Sequence, residues 1–417
     1  MEATPAIPAR TQVGIIGGGP AGLLLAQLLH QQGIAAVVLE NRPRARVEAR
    51  QRAGLLEQGT VDLLREAHAA ARLDREGLVH EGVILSYNGR RHRINLSELT
   101  GGACVTIYAQ TEVVKDLIQQ RLAQDLPLLF EAEATRLEGL ETAAPVIHYT
   151  YQGAARTLAC DFVAGCDGFH GVARQAAPAG FFKTCDKTYP YSWLGIIAQV
   201  PPSTDELIYA FHARGFALHS MRSSERSRLY VQCAVSDTVD DWPDARIWHE
   251  LHLRLGTAGW TLREGPILEK SITPMRSFVT EPMQYGRLFL AGDAAHIVPP
   301  TGGKGLNMAV ADTKTLFEAL RAHYQDGSDA LLHAYSAACM RRVWRVQEFS
   351  NYMTELLHLN PDKLPFDQHL QQARFQLLTT SAAASQVIAE NYVGLAAQRA
   401  GAAHLTPQPP LQAKAIS

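Results

Sequence analysis

The amino-terminal part of the chain carries three apolar runs separated by short polar or glycine-rich breaks, a pattern that predicts a βαβ unit. Gln12–Ile16 has the composition of a β-strand, Ala21–Gln32 that of an apolar helix, and Ala36–Leu39 that of a second strand, which ends at Glu40. Two strands joined by a helical crossover within about thirty residues fit a parallel strand pair.

No Asp, Glu, Lys or Arg lies between Thr11 and Leu39, and a stretch of that length can indicate a transmembrane helix. Here Gly17–Pro20 interrupts the stretch, and its helical part ends in polar residues. Arg10 alone is a poor start for a signal peptide, which also needs a cleavage site of small residues. We therefore expect a cytoplasmic protein with no membrane association.

Further along the chain the pattern alternates between helical and strand periodicity and then changes after about residue 185. Before that point, helices are predicted at Gly54–Arg72 and at Thr111–Leu122, with Thr111 as the N-cap. Antiparallel strands are predicted over Leu128–Thr150 and Arg156–Ala164. After it, short strands are predicted at Tyr189–Val200, Glu206–His212, Phe216–Met221 and Arg228–Val235. From Gly305 onward the pattern is mainly helical.

Composition narrows the function classes. Of 417 residues, 47% are hydrophobic and 19% are charged, which is typical of a globular protein. The net charge of −2 argues against a nucleic-acid-binding or polybasic membrane-binding surface. Six cysteines without a CxxC pair indicate reduced thiols and neither a disulfide framework nor a metal site.

The first chemical motif is Gly17-x-Gly19-x-x-Gly22, placed between the first predicted strand and helix. The first glycine makes the turn, the second lets a pyrophosphate approach the backbone, and the third lets the helix pack on the strand. Glu40 ends the second strand, where a carboxylate can bind an adenosine ribose. The motif alone leaves FAD and NAD(P) open, and a glycine-rich turn without a ligand is the alternative.

Two later motifs point to a flavin. Arg287–His296 predicts a buried strand ending in Gly-Asp, so that Asp293 can accept hydrogen bonds from ribityl hydroxyls. The glycine-rich helix start that follows it aims backbone amides at the anionic edge of a reduced flavin ring. Cys166–Gly168 supplies a central Asp-Gly. Alone, either segment could be an ordinary turn.

Together these motifs resemble the flavoprotein aromatic hydroxylases, and six segments are similar to the branch that acts on 4-hydroxybenzoate. The resemblance runs from about Gln12 to Gly394. The segments are Arg52–Gly59, Gly77–Gly82, Ala164–Gly171, Gly215–Leu218, Gly292–Thr301 and Ala389–Gly394.

The resemblance implies a role for each matching position. Ser220, Arg222 and Tyr230 would bind a substrate carboxylate; Tyr209 and the Pro300 carbonyl would bind its phenol. Tyr392 and then His80 would carry the phenol proton outward. FAD would contact the three glycines of the first motif, together with Glu40, Arg52, Gln110, Arg228, Asp293, Leu306 and Asn307. The nicotinamide donor would contact Arg50, His170 and Arg276.

Position by position, two departures from the family pattern stand out. The segment Asn41–Arg46 differs from better-known members, and its Arg42 and Arg46 could hold a 2′-phosphate. We therefore favour NADPH over NADH, although a solvated basic loop is the alternative. Leu55 and Phe211 are bulkier than their counterparts, which affects the expected pocket shape.

The expected fold class is a mixed α/β (α+β) protein in which a Rossmann-like FAD domain holds an inserted β-rich domain. The expected divisions are a leader (1–10), the FAD-binding domain (11–184), the β-rich substrate domain (185–285), the completion of the FAD domain with a helical region (286–395), and a disordered tail (396–417). A homodimer is expected.

The expected reaction converts a small aromatic acid, 4-hydroxybenzoate, to 3,4-dihydroxybenzoate with NAD(P)H and O2 through a flavin C4a-hydroperoxide. Two alternatives stay open from the sequence. One is a related hydroxylase of 3-hydroxybenzoate or 3,4-dihydroxybenzoate, and the other is a flavoprotein reductase that inserts no oxygen.

Overall fold

The computed structural model describes residues 8–49 and 54–395, which form twenty strands and eleven α-helices. The strands are β1 (Val13–Ile16), β2 (Ala36–Glu40), β3 (Leu55–Glu57), β4 (Leu78–His80), β5 (Gly82–Tyr87), β6 (Arg90–Asn95), β7 (Val105–Ile107), β8 (Leu128–Phe130), β9 (Ala132–Glu138), β10 (Val146–Tyr151), β11 (Ala154–Ala159), β12 (Phe162–Gly165), β13 (Lys183–Ala198), β14 (Ile208–Phe211), β15 (Ala217–Ser223), β16 (Arg226–Cys233), β17 (Ile267–Glu281), β18 (Gln284–Tyr285), β19 (Leu288–Leu290) and β20 (His296–Ile297). The helices are α1 (Pro20–Gln31), α2 (Arg44–Ala49), α3 (Gln58–Glu66), α4 (Leu73–Glu76), α5 (Leu96–Thr100), α6 (Gln110–Ala123), α7 (Asp244–Leu255), α8 (Gly305–Asp326), α9 (Ala330–Leu357), α10 (Pro365–Thr380) and α11 (Ala382–Tyr392).

A six-stranded sheet in the order β18-β19-β12-β1-β2-β8 forms the centre of the first layer. The five strands β19, β12, β1, β2 and β8 are parallel to one another, and β18 pairs with β19 in the antiparallel direction. The predicted βαβ unit is confirmed, because β1 and β2 pair in parallel and α1 connects them. Both strands are fully buried, as expected where helices cover a parallel sheet.

An eight-stranded sheet in the order β20-β17-β13-β16-β15-β14-β5-β6 forms the second layer. Most of it comes from the segment predicted to be β-rich, but β5 and β6 enter it from the amino-terminal part, with β5 parallel to β14. The domain bounds given above stay a prediction. Two antiparallel three-stranded sheets, β11-β10-β9 and β3-β7-β4, complete the strand pairing of the described residues.

Three local predictions were wrong, each because a tertiary contact overrides the local pattern. Residues 54–57 are not helical: Gly54 lies against the backbone of Tyr108 and Ala109, where a Cβ would come within 2.4 Å, and β3 pairs with β7. Thr111 is not an N-cap, since Ala109 holds that position without a side-chain bond. Strands β8 and β12 join the parallel sheet instead of an antiparallel one.

Within the described ranges, no helix has both the length and the apolar character that a membrane crossing requires. Residues 1–7 of the predicted leader, the predicted tail, and Arg50 and Arg52 lie outside the described residues.

Candidate active site

The three glycines of the first motif occupy positions that differ in the space around them. A Cβ on Gly17, whose φ is +108°, would lie 2.3 Å from the Cys166 carbonyl oxygen, and one on Gly22 would lie 2.1 Å from the Gly17 oxygen. A Cβ on Gly19 would meet nothing within 4 Å. Gly17 and Gly22 are therefore required by packing, whereas Gly19 leaves open space at the start of α1, where no side chain caps the helix. Such a helix start fits a pyrophosphate.

Glu40 is fixed at the end of β2 by two backbone donors. The N–H of Gly18 donates to its carboxylate over 2.7 Å and the N–H of Arg42 over 2.9 Å. The side chain is buried, yet a carboxylate has about four acceptor positions and these bonds use two of them. The remaining capacity fits the ribose hydroxyls of an adenosine.

The predicted ribityl-binding turn at Gly292–Asp293 is stabilised by a buried cluster of polar side chains around Asp312. Gly292 has a φ of +64° and its N–H donates to Asp312 over 3.1 Å. Asp312 also accepts from His296 over 2.6 Å and from Arg342 over 2.7 Å. Burial opposes ionisation of Asp312, but these cationic and N–H partners hold its pKa below the usual range. The Asp293 side chain itself is exposed, as a ligand-binding carboxylate must be.

Asn307 is not available as a side-chain ligand for FAD. Its Oδ1 accepts from the Glu57 N–H and the Thr60 hydroxyl, and its Nδ2 donates to the carbonyls of Leu55 and Gly303. The amide thus joins β3, α3 and the start of α8. A hydrogen bond from Asn307 to a flavin therefore has to come from its backbone at this helix start, where no side chain caps the helix.

The Asp-Gly motif joins the two other motifs. Asp167 accepts from the Ala173 N–H over 2.8 Å, and Arg174 donates to the Ala294 carbonyl over 2.8 Å. Strands β1, β12 and β19 lie side by side, so the three motifs that follow them meet at one edge of the parallel sheet. Ligands of open parallel sheets bind at this edge. The arrangement as a whole fits FAD.

A cavity next to this edge collects the predicted substrate residues. The cavity has a volume of about 520 Å³, including the part that opens to solvent, and fifteen of the described residues line it. All five predicted substrate contacts are among them: Tyr209, Ser220, Arg222, Tyr230 and Pro300. Arg228, predicted to contact FAD, also lines it, and its guanidinium lies 5.1 Å from the centre of the Tyr230 ring. Gln110 is the first residue of α6 and is half-buried.

Two neighbouring arginines, Arg222 and Arg228, make part of the cavity wall cationic. Ser220 and Arg222 lie two residues apart on β15, a spacing that places side chains on the same face of a strand, and both line the cavity. Arg222 donates to the Thr111 hydroxyl over 3.1 Å, which orients the guanidinium. Burial, together with the nearby charge of Arg228, lowers the pKa of Arg222 to about 10. It stays cationic at neutral pH, so the cavity offers a planar charged partner for a carboxylate.

Tyr209, which also lines the cavity, forms a buried pair with Tyr392. The hydroxyl oxygens of Tyr209 and Tyr392 lie 3.0 Å apart, and both side chains are buried. Burial raises the pKa of both phenols, so both are protonated and each can act as donor or acceptor. The sequence pattern could not pair these residues, which are 183 positions apart; only the resemblance did.

His80 is buried at the end of β4, and neither of its ring nitrogens has a hydrogen-bond partner among the described residues. Burial lowers its pKa to about 4, so the ring is neutral at neutral pH. One nitrogen of the neutral ring can accept a hydrogen bond and the other can donate one, but no direct bond to Tyr392 is seen. The place of His80 at the outer end of the proton route stays a prediction.

Sequence reasoning missed two residues of the site: Trp193, which lines the cavity, and Lys304. The Lys304 ammonium is buried and donates to Glu57 over 2.5 Å and to the carbonyls of Asn391 and Tyr392. It therefore fixes the end of α11 that carries Tyr392. The sequence did contain a signal for Lys304, because it is the one charged residue between the glycines at 302, 303 and 305.

The two bulky positions differ in effect. Leu55 lines the cavity and packs against Gly303, whose φ of +66° brings the loop close. Phe211 is not among the lining residues and stacks on Tyr87 with ring centres 4.8 Å apart. Only Leu55 therefore shapes the substrate cavity directly.

Residues 10–350 match the family model described as an FAD binding domain. The chain is also 48% identical over 387 residues to the p-hydroxybenzoate hydroxylase of Acinetobacter baylyi, covering 93% of this chain and 96% of that relative. The chain belongs to the FAD-dependent aromatic hydroxylases.

More distant relatives agree with this assignment. A 3-(3-hydroxy-phenyl)propionate/3-hydroxycinnamic acid hydroxylase from a Mycobacterium is 24% identical over 88% of this chain, which spans 63% of that relative. The crystal structure of p-nitrophenol 4-monooxygenase from Pseudomonas putida, at 18% identity, gives a TM-score of 0.80 and covers 92% of this chain and 98% of that one. This last match shows the shared fold.

The aromatic hydroxylase is a flavin-dependent monooxygenase that uses FAD, a nicotinamide donor and O2, and the expected mixed α/β fold class is confirmed. The cofactor choice that the first motif left open is thus decided for FAD, and the reductase alternative is set aside.

Of the residues predicted to contact the nicotinamide donor, those that the structure describes are exposed or half-buried. His170 is exposed, and Arg276 pairs with Asp186 and lies 4.2 Å from the centre of the Phe169 ring. Arg42 and Arg46 are exposed around the start of α2. Nothing in the fold joins these two groups into one site, so the donor contacts stay predictions.

Proposed function

We propose that this hydroxylase converts 4-hydroxybenzoate to 3,4-dihydroxybenzoate, consuming one O2, one NAD(P)H and one proton and releasing water and NAD(P)⁺. The observation that carries the proposal is the composition of the cavity wall, which contains the cationic Arg222 and also Tyr209, whose hydroxyl pairs with that of Tyr392. A benzoate with its phenol opposite the carboxylate matches this arrangement. The Acinetobacter baylyi relative bears the name of the same activity.

At the carboxylate end, Arg222 pairs with the substrate charge, and the hydroxyls of Ser220 and Tyr230 complete its hydrogen bonds. A charge-assisted pair of this kind is stronger than a neutral hydrogen bond and selects a planar anion. The same contacts fix how far the ring enters the cavity. They therefore decide which ring carbon faces the flavin.

At the phenol end, Tyr209 accepts the substrate proton while passing its own to Tyr392, which lies 3.0 Å away. A ring that loses this proton is the more reactive nucleophile, and the buried pair moves the proton without admitting bulk water. The Pro300 carbonyl accepts from the phenol before the transfer. The neutral His80, whose ring nitrogens have no partner among the described residues, passes the proton outward by accepting at one ring nitrogen and releasing from the other.

The flavin site is built from the features described above. Gly17, Gly19 and Gly22 with Glu40 would hold the adenosine and pyrophosphate, Asp293 would hold the ribityl chain, and backbone amides at the start of α8 would stabilise the reduced ring. Gln110 and the cavity-lining Arg228 would also contact the flavin. FAD, when bound and reduced, supplies the activation of O2.

We propose NADPH as the preferred donor, with its 2′-phosphate held by Arg42 and Arg46. Both are exposed, whereas Arg44 between them is paired with Glu48. The ratio of kcat/KM for NADPH to that for NADH tests this, since it should fall in Arg42→Ala and in Arg46→Ala but not in Arg44→Ala.

We also propose a homodimer in the cytoplasm. Helix α10 carries three exposed large apolar side chains, Phe366, Leu370 and Leu377. Exposed apolar side chains grouped in this way are typical of a subunit interface. All six cysteines are free, as expected in a reducing compartment. Sedimentation of the purified enzyme and of a Phe366→Asp variant tests the dimer.

The deciding experiment for the reaction is a substrate panel with identified products. The purified, FAD-loaded enzyme is given 4-hydroxybenzoate, 3-hydroxybenzoate and 3,4-dihydroxybenzoate with NADPH, and O2 uptake and products are measured. We expect 3,4-dihydroxybenzoate from the first. Faster coupled turnover of either other acid would instead establish one of the alternative substrates.

A further inference from the structure

Trp193 forms part of the wall at the carboxylate end of the substrate cavity, and its ring is held by a buried histidine. The indole N–H of Trp193 donates to Nε2 of His358 over 2.6 Å. The other ring nitrogen, Nδ1, lies 2.8 Å from the Thr354 carbonyl, which can only accept. His358 therefore carries its proton on Nδ1 and leaves Nε2 free to accept from Trp193.

The contacts of Trp193 lead directly to Tyr230, which we place at the substrate carboxylate. The two rings pack with their centres 4.7 Å apart. Gly195 lies opposite Tyr230 in the β13–β16 pairing, and a Cβ there would come within 3.1 Å of the tyrosine ring. The tyrosine ring is thus confined between Gly195 and Trp193, and a shift of the indole would shift it too.

His358 is itself held rigidly. Its ring stacks between Tyr191, at 4.8 Å, and Phe216, at 4.4 Å. The next residue, Leu359, is bound to the Gln232 side chain on β16 through both its N–H and its carbonyl. Burial lowers the pKa of His358 to about 3, so the ring is neutral at neutral pH.

We propose that His358 is a positioning residue that, through the Trp193 indole, holds Tyr230 in place for the substrate carboxylate. It is not among the residues that line the substrate cavity. The loss of its Nε2 acceptor should weaken substrate binding and leave the chemical step largely unchanged, because Tyr230 binds the carboxylate and not the reacting part of the ring. This inference rests on the proposed function for the identity of the acid.

Two substitutions separate the acceptor from the packing of the ring. His358→Gln removes the ring but places an amide oxygen near the position of Nε2, so the bond from Trp193 is retained. His358→Asn also removes the ring and keeps a donor near the position of Nδ1. Its shorter side chain places no acceptor at the position of Nε2, so the bond from the Trp193 indole is lost. Trp193→Phe removes the same bond from the other side.

The measurements are the Kd for 4-hydroxybenzoate, from the change in flavin absorbance, and kcat at saturating acid. We expect Kd to rise about five-fold in His358→Asn and in Trp193→Phe, as for one lost hydrogen bond. The Kd of His358→Gln should stay within about two-fold of the parent, and kcat should change little in the two His358 variants. Combining Trp193→Phe with His358→Asn should add nothing further to Kd.

An equal rise of Kd in the Gln and Asn variants, or no rise in Asn and Trp193→Phe, would overturn the proposal. If His358→Asn does not fold, Trp193→Phe against His358→Gln makes the same comparison. The proposed function fails separately, when the parent enzyme itself does not bind and hydroxylate 4-hydroxybenzoate.

Discussion

Arg222 is the single side chain on which substrate recognition depends most. Its position on β15 next to Ser220 follows from strand alternation, so the sequence could place the two groups on one face. The sequence could not show that Thr111, from the start of α6, would orient the guanidinium. That contact joins residues 111 positions apart and depends on how the two layers pack.

Arg222→Lys should raise the Kd for 4-hydroxybenzoate by roughly ten-fold or more, because a bidentate partner becomes a single donor and a charged hydrogen bond is lost. Flavin absorbance titration measures this. Arg226→Lys is the matched control, since Arg226 is exposed on the neighbouring strand and bonds Gln199. Unchanged affinity in Arg222→Lys would place the carboxylate elsewhere.

The βαβ unit and the helices after Gly305 show what an element-level pattern can predict, because their apolar periodicity matches their burial. The strand at residues 55–57 shows what it cannot. Its leucines fit a helix equally well, and only pairing with β7 decides between the two. Asn307 is similar: the sequence placed it by the flavin, but four protein bonds use its amide to join α8 to β3 and α3.

Gly19→Ala should weaken FAD binding at least about ten-fold while the protein still folds. Its φ of −81° suits alanine, and its Cβ would meet no atom of the described residues within 4 Å, so a pyrophosphate close to the backbone is what would oppose the methyl group. Fluorescence titration of the apoprotein with FAD and thermal unfolding measure the two effects.

Gly22→Ala is the control for Gly19→Ala, because its Cβ would strike the Gly17 carbonyl. It should lower the melting temperature even without FAD. Should Gly19→Ala bind FAD as tightly as the parent, the phosphates do not pass over that residue.

Across the whole molecule, the two layers meet at the edge where the three motifs and the substrate cavity lie. The sequence predicted the layers from their periodicities. It did not predict that β5 and β6 would extend the second sheet, since nothing local favours the parallel pairing of β5 with β14. The folded layers also bury three neutral histidines, His80, His219 and His358.

These histidines predict how stability depends on pH. Burial lowers their pKa values to about 4, 4 and 3, below the ordinary value of 6.5. As pH falls below 6.5 the unfolded chain takes up protons that the folded chain cannot, so the free energy of unfolding should decline between pH 6.5 and 4. Each histidine should contribute on the order of 3 kcal/mol over that range.

Urea unfolding at pH 7, 6, 5 and 4.5 measures this slope. His358→Gln should show a shallower decline than the parent, since one of the three groups can no longer titrate. An equally steep decline in that variant would mean that His358 is not protonated on unfolding in the expected range.

The central claim is that the cavity hydroxylates 4-hydroxybenzoate by removing its phenol proton through Tyr209 and Tyr392. The most direct test is the amount of 3,4-dihydroxybenzoate formed for each NAD(P)H oxidised, in the parent and in Tyr209→Phe, with hydrogen peroxide measured alongside. We expect a ratio near one for the parent. In Tyr209→Phe, which keeps the ring and the carboxylate site, the ratio should fall at least about ten-fold while donor oxidation continues and hydrogen peroxide accumulates. A Tyr209→Phe enzyme that stays fully coupled at the parent rate would contradict the account.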